Sequence, residues 1–310
     1  MRLVHLSDLH LGFRQYQRLT TRGINQREWD VADAFRRAID RTIAIAPPLV
    51  VVAGDVFHNV RPTNAAILQA YRQFSRLRSA LPTTEVVVCA GTHDTPRTIE
   101  VGGILGLFRE LGMHVADVKA ERFHLERLGC SVLAVPDVPG PRPELVPDAA
   151  ARWNVLLLHG EVAGVIPAAA ATADRAALEI TREELGAARW DYVALGHYHV
   201  HRQVEANAWY SGSIEYASAN AWGELVEERE HGIPGKGIIE HDLATGEHRF
   251  HHLPGARRLI DLAPVVARGM SAADLDAAIA DAVARAPGGI DDQVVRLVVR
   301  DVPRDRKSVV

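Results

Sequence analysis

Five short segments of this chain end strand-sized apolar runs with aspartate or histidine, and this recurrence restricts the possible folds. Apolar runs of about 4–8 residues are typical of buried strands. In α/β sheets such strand ends meet along one crevice, so the polar residues that follow the strands are expected to lie together. Chance recurrence of this pattern far apart in one chain is improbable. The segments are 7–10 (SDLH), 54–58 (GDVFH), 91–94 (GTHD), 159–160 (HG) and 196–199 (GHYH).

Strands and helices alternate in the first half of the chain. Apolar spacing predicts a strand over 3–6, a helix over 30–45, a strand over 49–53, a helix over 63–77, a strand over 85–90 and a helix over 104–111. From about Ala120 onward, the pattern changes to shorter strands. We therefore predict an α/β fold with a mainly parallel sheet and helices on its faces.

A composition change at Pro254 and Gly255 predicts a domain boundary. Beyond it, the spacing predicts an amphipathic helix over 274–286 and an alternating strand over 293–300. We expect one large domain over 1–254 and a small α+β segment over 255–310.

Overall charge argues against nucleic-acid binding through a general positive field, because the net charge is −4. Local charge differs: Arg14, Arg18 and Arg22 lie in a stretch from 12 to 27 that contains no acidic residue. A solvated loop explains such a stretch, but its position directly after the first motif favours contact with a phosphate backbone.

The sequence predicts a cytoplasmic protein without a membrane segment. No apolar run approaches the roughly 20 residues that a membrane helix needs. The first strand is expected to begin at Leu3, which leaves no room for a signal peptide. Cys89 and Cys130 are too few for a disulfide framework, so a reducing compartment is expected.

The residue types of the five segments suit a metal site. Mixed carboxylates and imidazoles favour Mn²⁺, Fe²⁺ or Zn²⁺. Two such ions about 3.5–4 Å apart can lower the pKa of a bridging water and hold both oxygens of an in-line displacement. We interpret His93 as a general acid or leaving-group stabiliser and Asp94 as the residue that orients its other ring nitrogen. A polar loop pair is the structural alternative for these two residues.

Further motif residues occur at 11–16 (LGFRQY), 210–215 (YSGSIE) and 235–237 (GKG). Together with the strand-end segments, they resemble the calcineurin-like metallophosphoesterase family, and within it the SbcD-type nuclease subunit of DNA double-strand-break repair. The resemblance covers the chain to about Leu253 and implies a two-sheet β-sandwich flanked by helices. The segment after Pro254 resembles the start of a DNA-capping domain.

The resemblance also implies a set of site residues, cofactors and partners. Two divalent ions, with Mn²⁺ foremost, would be held by Asp8, His10, Asp55 and His199 on one side and by Asp55, His159 and His197 on the other. His93 is then the catalytic histidine and His58 a second active-site histidine. The implied partners are DNA, a second copy of the chain and an SMC-like ATPase subunit of the SbcC type.

Thr92 departs from the family pattern, in which asparagine precedes the catalytic histidine and ligates the second ion. A hydroxyl is shorter and is a poorer neutral ligand. We therefore expect a second site that binds metal more weakly, reduced activity and a requirement for high Mn²⁺.

Three functions follow from these residues. The first is a Mn²⁺-dependent DNA nuclease of the SbcD type. The second is a free-standing phosphodiesterase that acts on a small nucleotide. The third is a scaffold with a weakened site that binds DNA ends or the ATPase, which would bind duplex ends without Mn²⁺-dependent turnover.

Overall fold

Two six-stranded sheets pack face to face in the larger part of the computed structural model, which describes residues 1–95, 103–140, 143–166 and 175–302. The chain divides into two compact units, Met1–Pro254 and Gly255–Val310. In chain order, the strands of the first unit are β1 (Arg2–Leu6), β2 (Leu49–Ala53), β3 (Glu85–Cys89), β4 (His114–Ala116), β5 (Glu121–Leu125), β6 (Cys130–Val135), β7 (Trp153–His159), β8 (Glu161–Val162), β9 (Glu179–Ile180), β10 (Tyr192–Gly196), β11 (Arg202–Glu205), β12 (Ala208–Tyr210), β13 (Gly237–Asp242) and β14 (His248–His252).

The first sheet has the order β14-β13-β1-β2-β3-β4, and the second has the order β11-β12-β10-β7-β6-β5. Strands β1 to β4 are parallel, whereas β13 pairs antiparallel with β1. The flanking helices are α1 (Gln26–Ile45), α2 (Asn64–Ala80), α3 (Arg182–Leu185) and α4 (Ala221–Glu230), with 3₁₀ helices at Ile104–Leu111, Glu126–Leu128 and Ala187–Arg189. The predicted two-sheet sandwich flanked by helices is confirmed.

Strand β2 shows why both faces of the first sheet are apolar. Val51 belongs to the core between the two sheets, together with Leu157 and Tyr192 of the second sheet. Val50 and Val52 lie in the core under the helices. Since successive strand residues point to opposite faces, a strand covered on both sides must be apolar throughout.

Helix α1 begins earlier than its apolar spacing indicates. The helix starts at Gln26, and the Asn25 side chain caps it by accepting from the main-chain N–H groups of Arg27 and Glu28. Arg27 is buried and donates to Asp30 (2.7 Å) and Glu215 (3.2 Å). The predicted start at residue 30 was wrong because this first turn buries paired charges, which apolar spacing does not reveal.

The second unit contains β15 (Leu259–Asp261), β16 (Val265–Val266), α5 (Ala272–Ala284), β17 (Val294–Arg296) and β18 (Val299–Arg300). Strands β15 and β17 pair in parallel, as do β16 and β18. Across the described ranges of both units, no helix is long and apolar enough to cross a membrane.

Four histidines gather at the β13–β14 side of the sandwich. His201 stacks on Trp209 with ring centroids 5.3 Å apart, and Trp209 stacks on His248 at 3.7 Å. Burial lowers the pKa of His5 and of His248 to about 3 each, and the pKa of His201 and of His241 to about 4 each. We name His5, His201, His241 and His248 the neutral histidine cluster.

The neutral histidine cluster predicts acid sensitivity of the metal-free protein. Because these pKa values lie below the ordinary 6.5, the unfolded chain takes up protons before the folded chain does. As far as these four rings contribute, the free energy of unfolding is highest above about pH 6.5 and falls as the pH drops toward 3–4. Urea unfolding midpoints measured from pH 7.5 to 5 should show this decrease. H248F should flatten it, whereas the exposed-residue control H124F should leave the slope unchanged; equal slopes in H248F and wild type would contradict the prediction.

Candidate two-metal site

The five motif segments meet at one edge of the sandwich, after the carboxyl ends of β1, β2, β3, β7 and β10. Four of them, all except 159–160, border a cavity of about 430 Å³. Its lining includes His10, Asp55, His58, His93, His197 and His199 from the predicted set, together with Arg14, Glu161 and Glu224.

The side-chain directions of the first candidate ligands are set by left-handed backbone conformations and not by the alternation of a β-strand. Strand β1 ends at Leu6, so Asp8 and His10 lie beyond it, in a loop. Both residues have positive φ (52° and 46°), as do Asp55 (51°) and His197 (103°). Such conformations are costly for non-glycine residues and persist only where the surroundings hold them. Here, main-chain bonds from Asp8 to Gly54 (3.0 Å) and from His10 to Asp55 (2.9 Å) join the two loops.

A first set of ligand atoms converges around His10. Its Nε2 atom lies 2.9 Å from Nε2 of His199 and 3.7 Å from Oδ2 of Asp55. Oδ1 of Asp8 lies 3.9 Å from Nε2 of His199. Burial, with the neighbouring histidines, holds the pKa of His10 well below its usual value, so this ring is neutral and offers a lone pair. The four residues that the sequence assigned to one ion are therefore brought together.

A second set converges on the other side of the same carboxylate. Oδ2 of Asp55 lies 3.6 Å from Nε2 of His159. Nδ1 of His159 lies 2.8 Å from the carbonyl oxygen of Ala53 and donates to it, which leaves Nε2 unprotonated in the neutral ring. Burial raises the pKa of Asp55, but His159 and His93 outweigh it, and the pKa is lowered. Asp55 is thus an anion that faces both histidine sets.

His197 stands apart from the converging atoms. Its Nε2 atom lies 3.2 Å from Oε1 of Glu161, and its main-chain N–H donates to the carboxylate of Asp8 (3.1 Å). The hydrogen bond with His197 lowers the pKa of Glu161 to about 2. Among the described residues, the groups of three converging ligand atoms are His10–His58–His93, Asp8–His10–His199 and Asp8–Asp55–His159, and none includes His197.

His93 is oriented by a carbonyl group and not by the predicted aspartate. Nδ1 of His93 lies 2.9 Å from the carbonyl oxygen of His58, and the two rings stack with centroids 5.1 Å apart. The Asp94 carboxylate instead accepts from the main-chain N–H groups of Phe57 (2.9 Å), Val56 (3.0 Å) and Gly91 (3.2 Å). The expected contact of Asp94 with the His93 ring is therefore wrong. Asp94 instead joins the loop that follows β2 to the loop that follows β3.

Thr92 reaches the second set of ligand atoms. Its hydroxyl donates to Oδ2 of Asp137 at 2.8 Å, and the same oxygen lies 3.5 Å from Nε2 of His159. The candidate donors on both sides of Asp55 are imidazoles, carboxylates and one hydroxyl, a mixed nitrogen and oxygen set that fits divalent metal ions.

The three predicted DNA-contacting arginines lie in different surroundings. Arg14 lines the cavity and pairs with Glu28 at 2.7 Å. Arg18 and Arg22 are exposed and do not line this cavity.

Glu224 is a site residue that the sequence analysis missed. Its Oε1 atom lies 3.1 Å from Nδ1 of His199, and its Oε2 atom accepts from Nζ of Lys236 at 2.7 Å. Burial raises the pKa of Glu224, but Lys236 and His199 lower it more, so the carboxylate is an anion. The 235–237 motif marked Lys236 in the sequence, but nothing local to α4 connects it with His199. Glu161 and Asp137 were missed for the same reason.

Glu224 is expected to support metal binding through His199. A carboxylate on the outer nitrogen of a ligating histidine fixes the ring, and its removal typically weakens metal affinity about 10–100-fold. We expect E224Q to weaken one Mn²⁺ by roughly that factor in a calorimetric titration. The matched control is E85Q, which removes a histidine-paired glutamate outside the cavity (3.2 Å from His114). Equal Mn²⁺ affinities for E224Q and wild type would contradict the expectation.

Comparison with known proteins gives consistent matches. Residues 1–201 match the model of the calcineurin-like phosphoesterase family. The chain is 26% identical to the DNA double-strand break repair protein Mre11 of Methanocaldococcus jannaschii. The match takes in 80% of this chain and 64% of the relative. The Mre11 proteins of Methanopyrus kandleri (27% identity; 84% of this chain, 58% of the relative) and Sulfurisphaera tokodaii (29%; 64% and 49%) are also similar. The matched part of the chain thus spans less than two thirds of these relatives.

Proposed function

This chain belongs to the calcineurin-like phosphoesterase family, and from that membership we propose that it is a metal-dependent nuclease that hydrolyses DNA phosphodiester bonds in double-strand-break repair. The observation that carries the proposal is the Asp55 carboxylate, with Nε2 of His10 at 3.7 Å on one side and Nε2 of His159 at 3.6 Å on the other. A single carboxylate between two ligand sets suits a pair of ions. The similarity to Mre11 proteins supports DNA as the substrate.

The mixed oxygen and nitrogen donors suit Mn²⁺, Fe²⁺ or Zn²⁺, and the resemblance to the SbcD type makes Mn²⁺ the proposed ion. When bound, two such ions would polarise the phosphate and make water a stronger nucleophile near neutral pH. His10, Asp8, Asp55 and His199 would hold the first ion. Asp55, His159 and His197 would hold the second.

His93 serves as the general acid in this proposal. Its Nδ1–H group is engaged by the His58 carbonyl at 2.9 Å, so Nε2 is the ring nitrogen that can exchange a proton with a leaving oxygen. The main-chain N–H group of His93 donates to Oδ1 of Asp55 at 2.8 Å, which couples the position of the acid to the central carboxylate. The stacked His58 ring restricts the tilt of the His93 ring.

DNA would approach through the cavity opening, where Arg14 supplies a cation for the phosphate backbone. The segment from Gly255 onward is proposed as the beginning of a capping domain, and an SMC-like ATPase of the SbcC type as a partner.

A second copy of the chain would dock on α1 and α2, where Trp29, Leu68 and Tyr71 are exposed. A reducing, cytoplasmic location is supported by Cys89 and Cys130, which are buried free thiols.

The proposed function is tested with labelled linear duplex, hairpin and single-stranded DNA in Mn²⁺ and in EDTA. We expect Mn²⁺-dependent cleavage of at least the duplex by the wild type. Hydrolysis of a small phosphodiester such as bis(4-nitrophenyl) phosphate without cleavage of any DNA would overturn the nuclease proposal in favour of a nucleotide phosphodiesterase. Tight binding of duplex ends without turnover would overturn it in favour of a scaffold.

A further inference from the structure

The nearer and charged one of two neighbours of the Thr92 hydroxyl, Asp137 at 2.8 Å and not His159 at 3.5 Å, determines where its proton points. Oγ1 of Thr92 lies 2.8 Å from Oδ2 of Asp137, and a carboxylate oxygen accepts but does not donate. The proton of Thr92 is therefore directed at Asp137. The lone pairs of Oγ1 are left for the opposite side, where Nε2 of His159 lies 3.5 Å away.

Nδ1 of His159 donates to the Ala53 carbonyl at 2.8 Å, so in the neutral ring Nε2 is the nitrogen that carries the lone pair. Oδ2 of Asp55 lies 3.6 Å from this nitrogen. Oγ1 of Thr92 and Oδ2 of Asp55 thus lie at 3.5 and 3.6 Å from the same ring nitrogen. Ligand atoms about 2.0–2.2 Å from one ion are separated by about 3–3.5 Å, which is close to these spacings.

Asp137 is built to hold this orientation. The residue is 2% exposed, and besides the Thr92 hydroxyl its carboxylate accepts from the main-chain N–H groups of Leu178 (2.7 Å) and Ala177 (3.1 Å). Its own main-chain N–H donates to the Ala90 carbonyl at 3.0 Å, directly before the loop that carries Thr92. With both carboxylate oxygens anchored, Asp137 cannot follow the threonine if the hydroxyl rotates. A charge-assisted hydrogen bond of this kind also raises the electron density on the donor oxygen.

We propose that Thr92 is an oxygen ligand of the second metal ion in this chain and that Asp137 is the positioning residue that makes it one. The proposal rests on the proposed two-metal function, and its positioning residue, Asp137, lies outside the strand-end motifs. It changes the expectation drawn from the sequence: the shorter side chain does not leave the second site without its oxygen donor, because a fixed carboxylate turns the hydroxyl lone pairs toward the ion.

The test is a Mn²⁺ titration of metal-free protein by calorimetry, with electron paramagnetic resonance to follow bound Mn²⁺. We expect two ions in the wild type and in T92S, which keeps the hydroxyl. T92V should weaken one ion by roughly 10–100-fold and leave the other unchanged, and D137N should weaken the same ion about tenfold. The double variant T92V/D137N should match T92V, because Asp137 acts only through the hydroxyl. The control is T95V, which removes a threonine hydroxyl close to Thr92 in the chain. The Thr95 hydroxyl donates to the main-chain carbonyls of Gly91 and Asp137 and not to a carboxylate.

Several results would overturn the inference. T92V with wild-type affinity for both ions, equal weakening of both ions in D137N, or additive losses in the double variant would each do so, as would a wild type that binds one ion. Should D137N fail to fold, the comparison of T92V with T92S decides whether Thr92 is a metal ligand. Two-ion binding with the expected pattern but without DNA cleavage would leave the inference standing and remove the nuclease proposal.

Discussion

Replacing Asp55 with asparagine is expected to have the largest effect of any single substitution in this chain. Asparagine keeps the shape of the side chain and an oxygen for the main-chain N–H of His93, which lies 2.8 Å from Oδ1. It removes a negative charge that lies 3.7 Å from Nε2 of His10 and 3.6 Å from Nε2 of His159. Because metal-assisted stabilisation of the reacting phosphate contributes several kcal/mol, we expect D55N to lower Mn²⁺-dependent DNA hydrolysis on the order of a thousandfold or more.

The measurement for D55N is the single-turnover cleavage rate together with the Mn²⁺ stoichiometry. We expect both ions to bind more weakly, since each loses the same anion. The control is D117N, which removes a buried carboxylate that pairs with Arg109 at 2.9 Å, away from the cavity. A D55N protein that binds two Mn²⁺ ions and cleaves DNA at the wild-type rate would refute the two-metal assignment.

Substitution of His93 should separate catalysis from metal binding. H93A removes the proposed proton donor, and general acids typically contribute about 10²–10⁴-fold to a rate. We expect DNA cleavage to fall within that range. Both Mn²⁺ ions should still bind, because neither proposed ligand set includes this ring.

The measurement for H93A is the cleavage rate on duplex DNA beside a Mn²⁺ titration. H114A is the matched control, because His114 pairs with Glu85 at 3.2 Å and lies outside the cavity lining. Loss of one bound ion in H93A would make His93 a ligand and not an acid. Unchanged cleavage would remove the proposed mechanism.

The strand-end residues were predictable because their signal is local. Asp55 follows a run of five buried residues in β2, and His159 ends the apolar run of β7. A buried strand has to be apolar along its length, so the first polar residue after it marks the sheet edge. Parallel strands then bring such edges together without further information.

The supporting residues were not predictable, because their partners are distant in the chain and belong to other elements. Glu224 lies on α4 and contacts His199 across 25 positions, whereas Asp137 contacts Thr92 across 45. A buried glutamate on a short helix carries no signal in apolar spacing. Its pairing is visible only once α4 is packed beside the strand ends.

By itself, the sequence determined the alternation of strands and helices and the types and order of the ligand residues, because strand burial and metal chemistry both depend on residue type. The sandwich of two sheets followed from the family resemblance. Only the tertiary structure decided which atom each side chain contacts. His93 is held by the His58 carbonyl in place of Asp94, and Thr92 is turned by Asp137. The physical reason is the backbone: Asp8 and Asp55 adopt left-handed conformations that local preference disfavours and that long-range hydrogen bonds hold in place.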